Sequence, residues 1–198
     1  VISTSKSVTA HASASGGSSI GHHHARAFSG GSPITVELQA RIRFRERNER
    51  ACFVSTGVPS DRARQILTSV LALPLMENAT PEVMRVDVHR PDPLKYHNDY
   101  SLALAIAMVS SLTGRCVKEE MLFLGNVDLQ HRVQDVDSDR IDRLNDAISA
   151  FEVESPVTII CSPEAAQWIN QSSTVTVRPA RTLADAVAAA WPGKTLRI

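Results

Sequence analysis

The sequence predicts a two-layer α/β domain, and three observations carry that expectation. Apolar and polar residues alternate through ITVELQARI (34–42) and EVMRVDVH (82–89), the period of a half-buried strand. Other segments space their apolar residues three and four apart, the period of a helix that buries one face. Pro, Gly and capping residues separate these runs, so strands and helices alternate along the chain.

Each element follows from its residues. Strands are predicted at 34–42 and, for ACFVS, at 51–55. Residues 60–73 read as a helix with Ser60 as N-cap and Ala63, Ile66, Leu67 and Val70 on one face, stopped by Pro74. The strand at 82–89 ends before Pro91 and Pro93, which enforce a turn. Asn98 or Asp99 is expected to cap the next helix, whose interior from Leu102 to Val109 is apolar nearly all round and therefore buried. Residues 121–124 and 131–136 read as strands around Gly125. A helix over 138–151, capped by Ser138, carries Ile141, Leu144, Ile148 and Phe151 on one face. The apolar strand 157–161 leads through Ser162 into a helix with Pro163 at its first position. Residues 175–177 form another strand. Thr182 and Asp185 form a capping box for a last helix, which ends by Pro192-Gly193.

Length and composition bound the rest. A chain of 198 residues holds one domain of about 150 residues plus extensions, enough for a real core. The formal charge is zero, with 21 basic and 21 acidic residues, so no global attraction to nucleic acid or an acidic membrane is implied. Residues 1–36 contain Lys6 and Arg26 and no acid, which leaves −2 on residues 37–198. Cys52, Cys116 and Cys161 lie far apart without CxxC spacing, so buried free thiols in a reducing compartment are expected. No apolar run approaches the ~20 residues that span a bilayer.

Composition divides the chain near residue 32. Residues 1–32 are rich in Ser, Gly, Ala and His with few large apolar residues, and are expected to form an irregular extension held by a partner. The domain proper is expected at 33–192, with a short tail at 193–198. The acid-free, Ser-rich start resembles a mitochondrial targeting segment, and Arg26-Ala27-Phe28-Ser29 resembles a matrix-peptidase site. The mitochondrial matrix is therefore the expected location. The first residue is Val, not Met, so further residues are expected upstream. His22, His23 and His24 read as a solvated run, not a metal site, and no cofactor is expected.

The stretch DYSLALAIAMVSSLTGRCVKEEMLFLGNVDLQHRVQDV (99–136) carries a resemblance. Its helix LAIAMVSSLTGR and its segment GNVDLQHRVQDV, against a pattern of roughly G-x-V-x-L-x-G-x-V-x-x-V, resemble a Lon-type proteolytic domain. They resemble still more closely the Lon-like C-terminal domain of the DNA-repair protein RadA, over roughly residues 33–190. The resemblance implies the ribosomal S5 domain 2-like fold. It also implies where a Ser nucleophile and a Lys would stand, and ungapped alignment on Leu112-Thr113-Gly114-Arg115 puts Asp99 and Asp142 there. Carboxylates cannot replace a Ser–Lys dyad, because neither supplies the acyl-transfer nucleophile or its base. Ser101 lies two positions late, about 200° round the helix, and no Lys occurs between Lys118 and Lys194. Peptidase activity is not expected. The chain also lacks a P-loop and a zinc knuckle, so RadA's ATPase activity is not carried over.

The strongest binding candidate is RIRFRERNER (41–50), with five arginines against two glutamates. Arg41, Arg43, Arg45 and Arg47 would share one strand face, with Phe44 and Arg50 beside them, a pattern that suits phosphate contacts and a stacked base. A solvated hairpin tip is the bland alternative. Three functions follow. The chain is read first as a non-catalytic structural subunit of a mitochondrial assembly, a ribonucleoprotein such as the mitochondrial ribosome, with proteins or RNA contacted through residues 1–32 and 41–50. The second is a DNA-binding accessory of repair, and the third a divergent serine peptidase.

Overall fold

The computed structural model describes residues 23–28, 35–44, 52–76, 84–89, 100–118, 120–150 and 156–193. The chain is α/β, as its alternation implies. Its strands are β1 (His23–Phe28), β2 (Thr35–Phe44), β3 (Cys52–Thr56), β4 (Met84–His89), β5 (Met121–Phe123), β6 (Val157–Cys161) and β7 (Val175–Pro179). Its helices are α1 (Ser60–Leu71), α2 (Ser101–Thr113), α3 (Ser138–Ala150), α4 (Pro163–Ala166) and α5 (Leu183–Ala190). The strands form one mixed sheet in the order β3-β4-β2-β1-β5-β6-β7. Only β2 runs antiparallel to its neighbours; every other pairing is parallel.

Helices α1, α2 and α5 share one core with the sheet, built on Leu38, Ala40, Ile42, Val86, Val88, Phe123 and Ile160. Helices α3 and α4 pack on the other side of the β5–β7 end, where Ile141, Leu144 and Ala165 meet Phe28, Leu122, Ile159 and Val175. The period-two alternation of β2 sends Leu38, Ala40 and Ile42 to the α2 side and leaves Glu37, Gln39, Arg41 and Arg43 half-buried on the other. No helix among the described residues packs its apolar face onto that part of the sheet.

The expected division at residue 32 falls inside this sheet. Residues 23–28 are not irregular extension but its middle strand, paired antiparallel to β2 from His23↔Ala40 to Phe28↔Thr35 and parallel to β5 through Arg26↔Leu122 and Ala27↔Phe123. Ala25, Ala27 and Phe28 are buried. Two alanines add little apolar area, but a strand lying beneath a helix studded with Ala103, Ala105 and Ala107 has little room for more. Residues 1–22 and 194–198 lie outside the described residues.

The strand expected at 131–136 does not form. It is reduced to the isolated bridges Val127↔Val133 and Arg132↔Thr182, because β5 already has β1 on one side and β6 on the other. The chain turns back on itself instead. Asp128 organises this turn, its Oδ1 accepting the amides of Gln130 (2.8 Å) and Arg132 (2.9 Å). Gly125 opens it at φ +114°, where an added Cβ would lie 2.8 Å from the Gln134 carbonyl oxygen. His131 adopts the left-handed conformation, at φ 62°.

Some caps differ from expectation. Pro59, not Ser60, is the N-cap of α1. Tyr100 occupies that position for α2, without a side-chain cap; Asn98 and Asp99 lie outside the described residues. The Thr182–Asp185 capping box and the Ser162 cap with Pro163 at the first turn form as their sequence signatures imply.

The placement of β1 makes a direct prediction. A chain beginning at Ser29 should lose cooperative thermal unfolding and near-UV circular dichroism, because the sheet would be cut between β2 and β5. Retention of a sharp unfolding transition by that truncation would refute the central role of β1.

Candidate functional site

Two regions carry the chemistry the sequence singles out: the start of α2, where a Lon nucleophile would stand, and the arginine face of β2. At the first, Ser101 is fully buried. Its Oγ donates to Asn126 Oδ1 (2.9 Å) and accepts from the Val127 amide (2.7 Å) and from Arg62 Nη2 (3.3 Å). The amides of the first turn are served by the same loop, Ser101 N donating to Asn126 Oδ1 and Leu102 N to the Gly125 carbonyl, both at 3.3 Å. Asn126 thus meets one of the first-turn amides of α2 that have no partner within the helix. Arg62 also reaches the Val127 carbonyl (3.4 Å), which ties α1 to this node. The Ser101 proton goes to an amide oxygen, not to a base, and its acceptor capacity is filled.

Asp99 falls outside the described residues. Asp142 is exposed on α3, on the solvent side that its offset from Ile141 implies.

Sequence reasoning missed two further polar brackets on α2. Ser111 Oγ accepts the Ile42 amide at 2.7 Å. Ser110 Oγ lies 2.8 Å from His23 Nδ1 and donates to the Arg115 carbonyl. The only sequence signal was the Ser-Ser pair at the end of an otherwise apolar helix. Buried hydroxyls must find partners. Adjacent strand residues point to opposite faces, so His24 turns away from His23 and pairs instead with Glu37, Nδ1 to Oε1 at 2.5 Å. The two histidines therefore do not converge as ligands, and His22 is outside the described residues. Among the described residues no cluster of His, Cys, Asp and Glu could hold a metal ion.

On β2, Arg41 and Arg43 share the face opposite Ala40 and Ile42, as alternation predicts. By the same alternation strand position 44 belongs to the other face; the Phe44 side chain lies outside what the structure describes. Arg45, Arg47 and Arg50 lie outside the described residues. Register sets Arg41 opposite Asp87 and Arg43 opposite Arg85 on β4, and on β1 sets Arg26 opposite Glu37. Arg41 Nε is buried without a hydrogen-bond partner.

All three cysteines are free thiols, but they differ in access: Cys161 is buried, Cys52 half-buried and Cys116 exposed. Burial, with a smaller contribution from the Asp135 carboxylate, pushes the Cys161 thiol up from about 9 to about 12. No helix among the described residues is long and apolar enough to cross a membrane. No protein-family model matches the chain, and no curated protein matches it.

Three outcomes follow from these geometries. Ser101→Ala strands the Val127 amide and should lower stability by about 1–3 kcal/mol in denaturant melts; an unchanged midpoint would show that the node contributes nothing. Cys116 should react with a thiol reagent in the native protein while Cys161 reacts only on unfolding. Because the folded state holds the Cys161 proton more tightly, stability should fall as pH rises from about 9 towards 12. Cys161→Ala should flatten that slope.

Proposed function

We propose that the chain is a non-catalytic Lon/RadA-like module of the two-layer ribosomal S5 domain 2-like type. It serves as a structural subunit of an assembly in the mitochondrial matrix, a ribonucleoprotein such as the mitochondrial ribosome. One observation carries this reading. Among the described residues the three serines of α2 are buried and hydrogen-bonded, and Ser101, the serine near the Lon nucleophile position, is consumed in that framework. A Ser–Lys peptidase needs an accessible hydroxyl with a base beside it. Here the neighbours are Asn126 and Arg62, which donate or accept hydrogen bonds but take no proton. The aligned Lys position holds exposed Asp142. A scaffold that keeps its core without the reacting groups suits a part of a larger structure.

Arg41 and Arg43 share one face of β2, which suits phosphate contact and so a nucleic-acid-containing host, and the same pair suits the alternative of a DNA-repair accessory. Gradient sedimentation of mitochondrial lysate separates these. The tagged chain should travel with a large particle and move to lighter fractions after RNase treatment. Sedimentation as a free small protein with or without RNase would defeat the proposal, and a shift by DNase alone would favour the DNA reading.

A further inference from the structure

The connection between α4 and β7 carries an aromatic ring that the core does not take. Trp168 is 69% exposed, one of three large hydrophobic side chains on the surface among the described residues and the only aromatic one. Its backbone is held fast. Asn145 of α3 donates from Nδ2 to the Trp168 carbonyl (2.8 Å) and accepts the Asn170 amide at Oδ1 (2.8 Å). The Trp168 amide donates to the Ala165 carbonyl (3.0 Å). Between the two Asn145 contacts, Ile169 is buried in the core shared by α3 and α4. The indole itself has neither a hydrogen bond nor a ring contact among the described residues. Single exposed apolar side chains are ordinary. A large, stiff indole on a pinned backbone is different, because it loses little freedom when a partner covers it, and such rings anchor interfaces.

The charge beside this ring has one sign. On α3, exposed Asp142 and Asp146 lie about 60° and about 100° round the helix from Asn145. Arg143, the exposed cation of that helix, lies about 160° away, towards its far flank. Glu164, exposed in the first turn of α4, stands one turn before Trp168. None of these three acids forms an ion pair among the described residues. From Gln167 to Thr174 the connection adds no charge of either sign. We infer that Trp168 anchors a docking surface for a cationic segment of a partner protein. The segment lays an arginine or lysine on the indole face, whose quadrupole attracts it, while Asp142, Asp146 and Glu164 supply the opposing charge. Arginine suits the ring best, because its planar guanidinium stacks on an aromatic face. A stacked RNA base would bring its phosphates beside these carboxylates, which opposes it. The surface lies beyond the proposed assembly role and does not depend on it.

The test is binding of labelled probes to the full chain, followed by fluorescence anisotropy. The probes are short peptides of alternating Arg-Gly, Lys-Gly and Glu-Gly, with a single-stranded poly-U of similar length. The wild type should bind the arginine peptide most tightly, the lysine peptide next and the glutamate peptide not at all. Trp168→Ala should weaken the arginine peptide about tenfold, the loss of one cation–π contact. Trp168→Phe, which keeps a ring face, should lose about threefold or less. Trp168→Leu, apolar but without that face, should behave like Trp168→Ala. Asp142→Asn/Asp146→Asn should weaken binding and flatten its salt dependence, and Arg143→Gln should not weaken it. These positions are exposed, so each variant should keep the wild-type thermal midpoint. Equal binding of the arginine peptide by wild type and Trp168→Ala, full retention in Trp168→Leu, or a Trp168-dependent poly-U complex tighter than the peptide complex would each overturn the inference. The readout involves purified chain and no particle, so its failure leaves the sedimentation result of the assembly role untouched.

Discussion

The rest of the structure depends on the burial of α2. Residues from Ser101 to Ser111 are all enclosed, so the helix has no solvent-facing side and must be matched around its whole circumference. Its apolar residues meet the sheet, α1 and α5. Its three serines cannot be left to water, and an unmet hydroxyl there costs about 1–3 kcal/mol. Each finds a different part of the fold: Ser101 the 125–127 loop and α1, Ser110 the first strand and the Arg115 carbonyl, Ser111 the backbone of β2. The hydroxyls locate a helix that hydrophobic contact alone would leave free to slide.

That constraint explains the use of small residues around it. Ala25, Ala27 and Ala40 on neighbouring strands share the core with Ala103, Ala105 and Ala107, so helix and sheet approach closely. It also explains Gly125. The loop that serves the first amides of α2 comes so near the Gln134 carbonyl that no side chain fits.

Much of the fold was legible in the sequence because its periods are strong. The alternation in β2, the apolar surround of α2 and the Thr182–Asp185 box are local signals, and each gives the element it implies. What failed was the start. His-His-Ala-Arg-Ala-Phe alternates, but its inward residues include two alanines, so composition reads it as too poor in apolar surface to be ordered. The area it lacks is supplied by its neighbours, which sequence does not display. The 131–136 run has a local strand pattern, but β1 and β6 take both edges of β5, and the run is left with isolated bridges. The candidate site divides in the same way. Strand parity alone puts Arg41 and Arg43 on one face and position 44 on the other. The apposition of Arg43 with Arg85 depends on register across β2 and β4, which no local pattern contains.

The central position of β1 also sets the order in which the fold closes. One of its neighbours, β2, follows at once, but the other pairs Arg26 with Leu122 and Ala27 with Phe123, far along the chain. Closing so long a loop is entropically costly and slow, so the seam between β1 and β5 should be a late event in folding. During synthesis, the β1–β2 hairpin must wait with one edge unpaired until β5 arrives. An open edge of that kind pairs readily with other chains. A protein built this way has good reason to depend on a chaperone during its synthesis, and to resist exchange of its first strand once the sheet has shut.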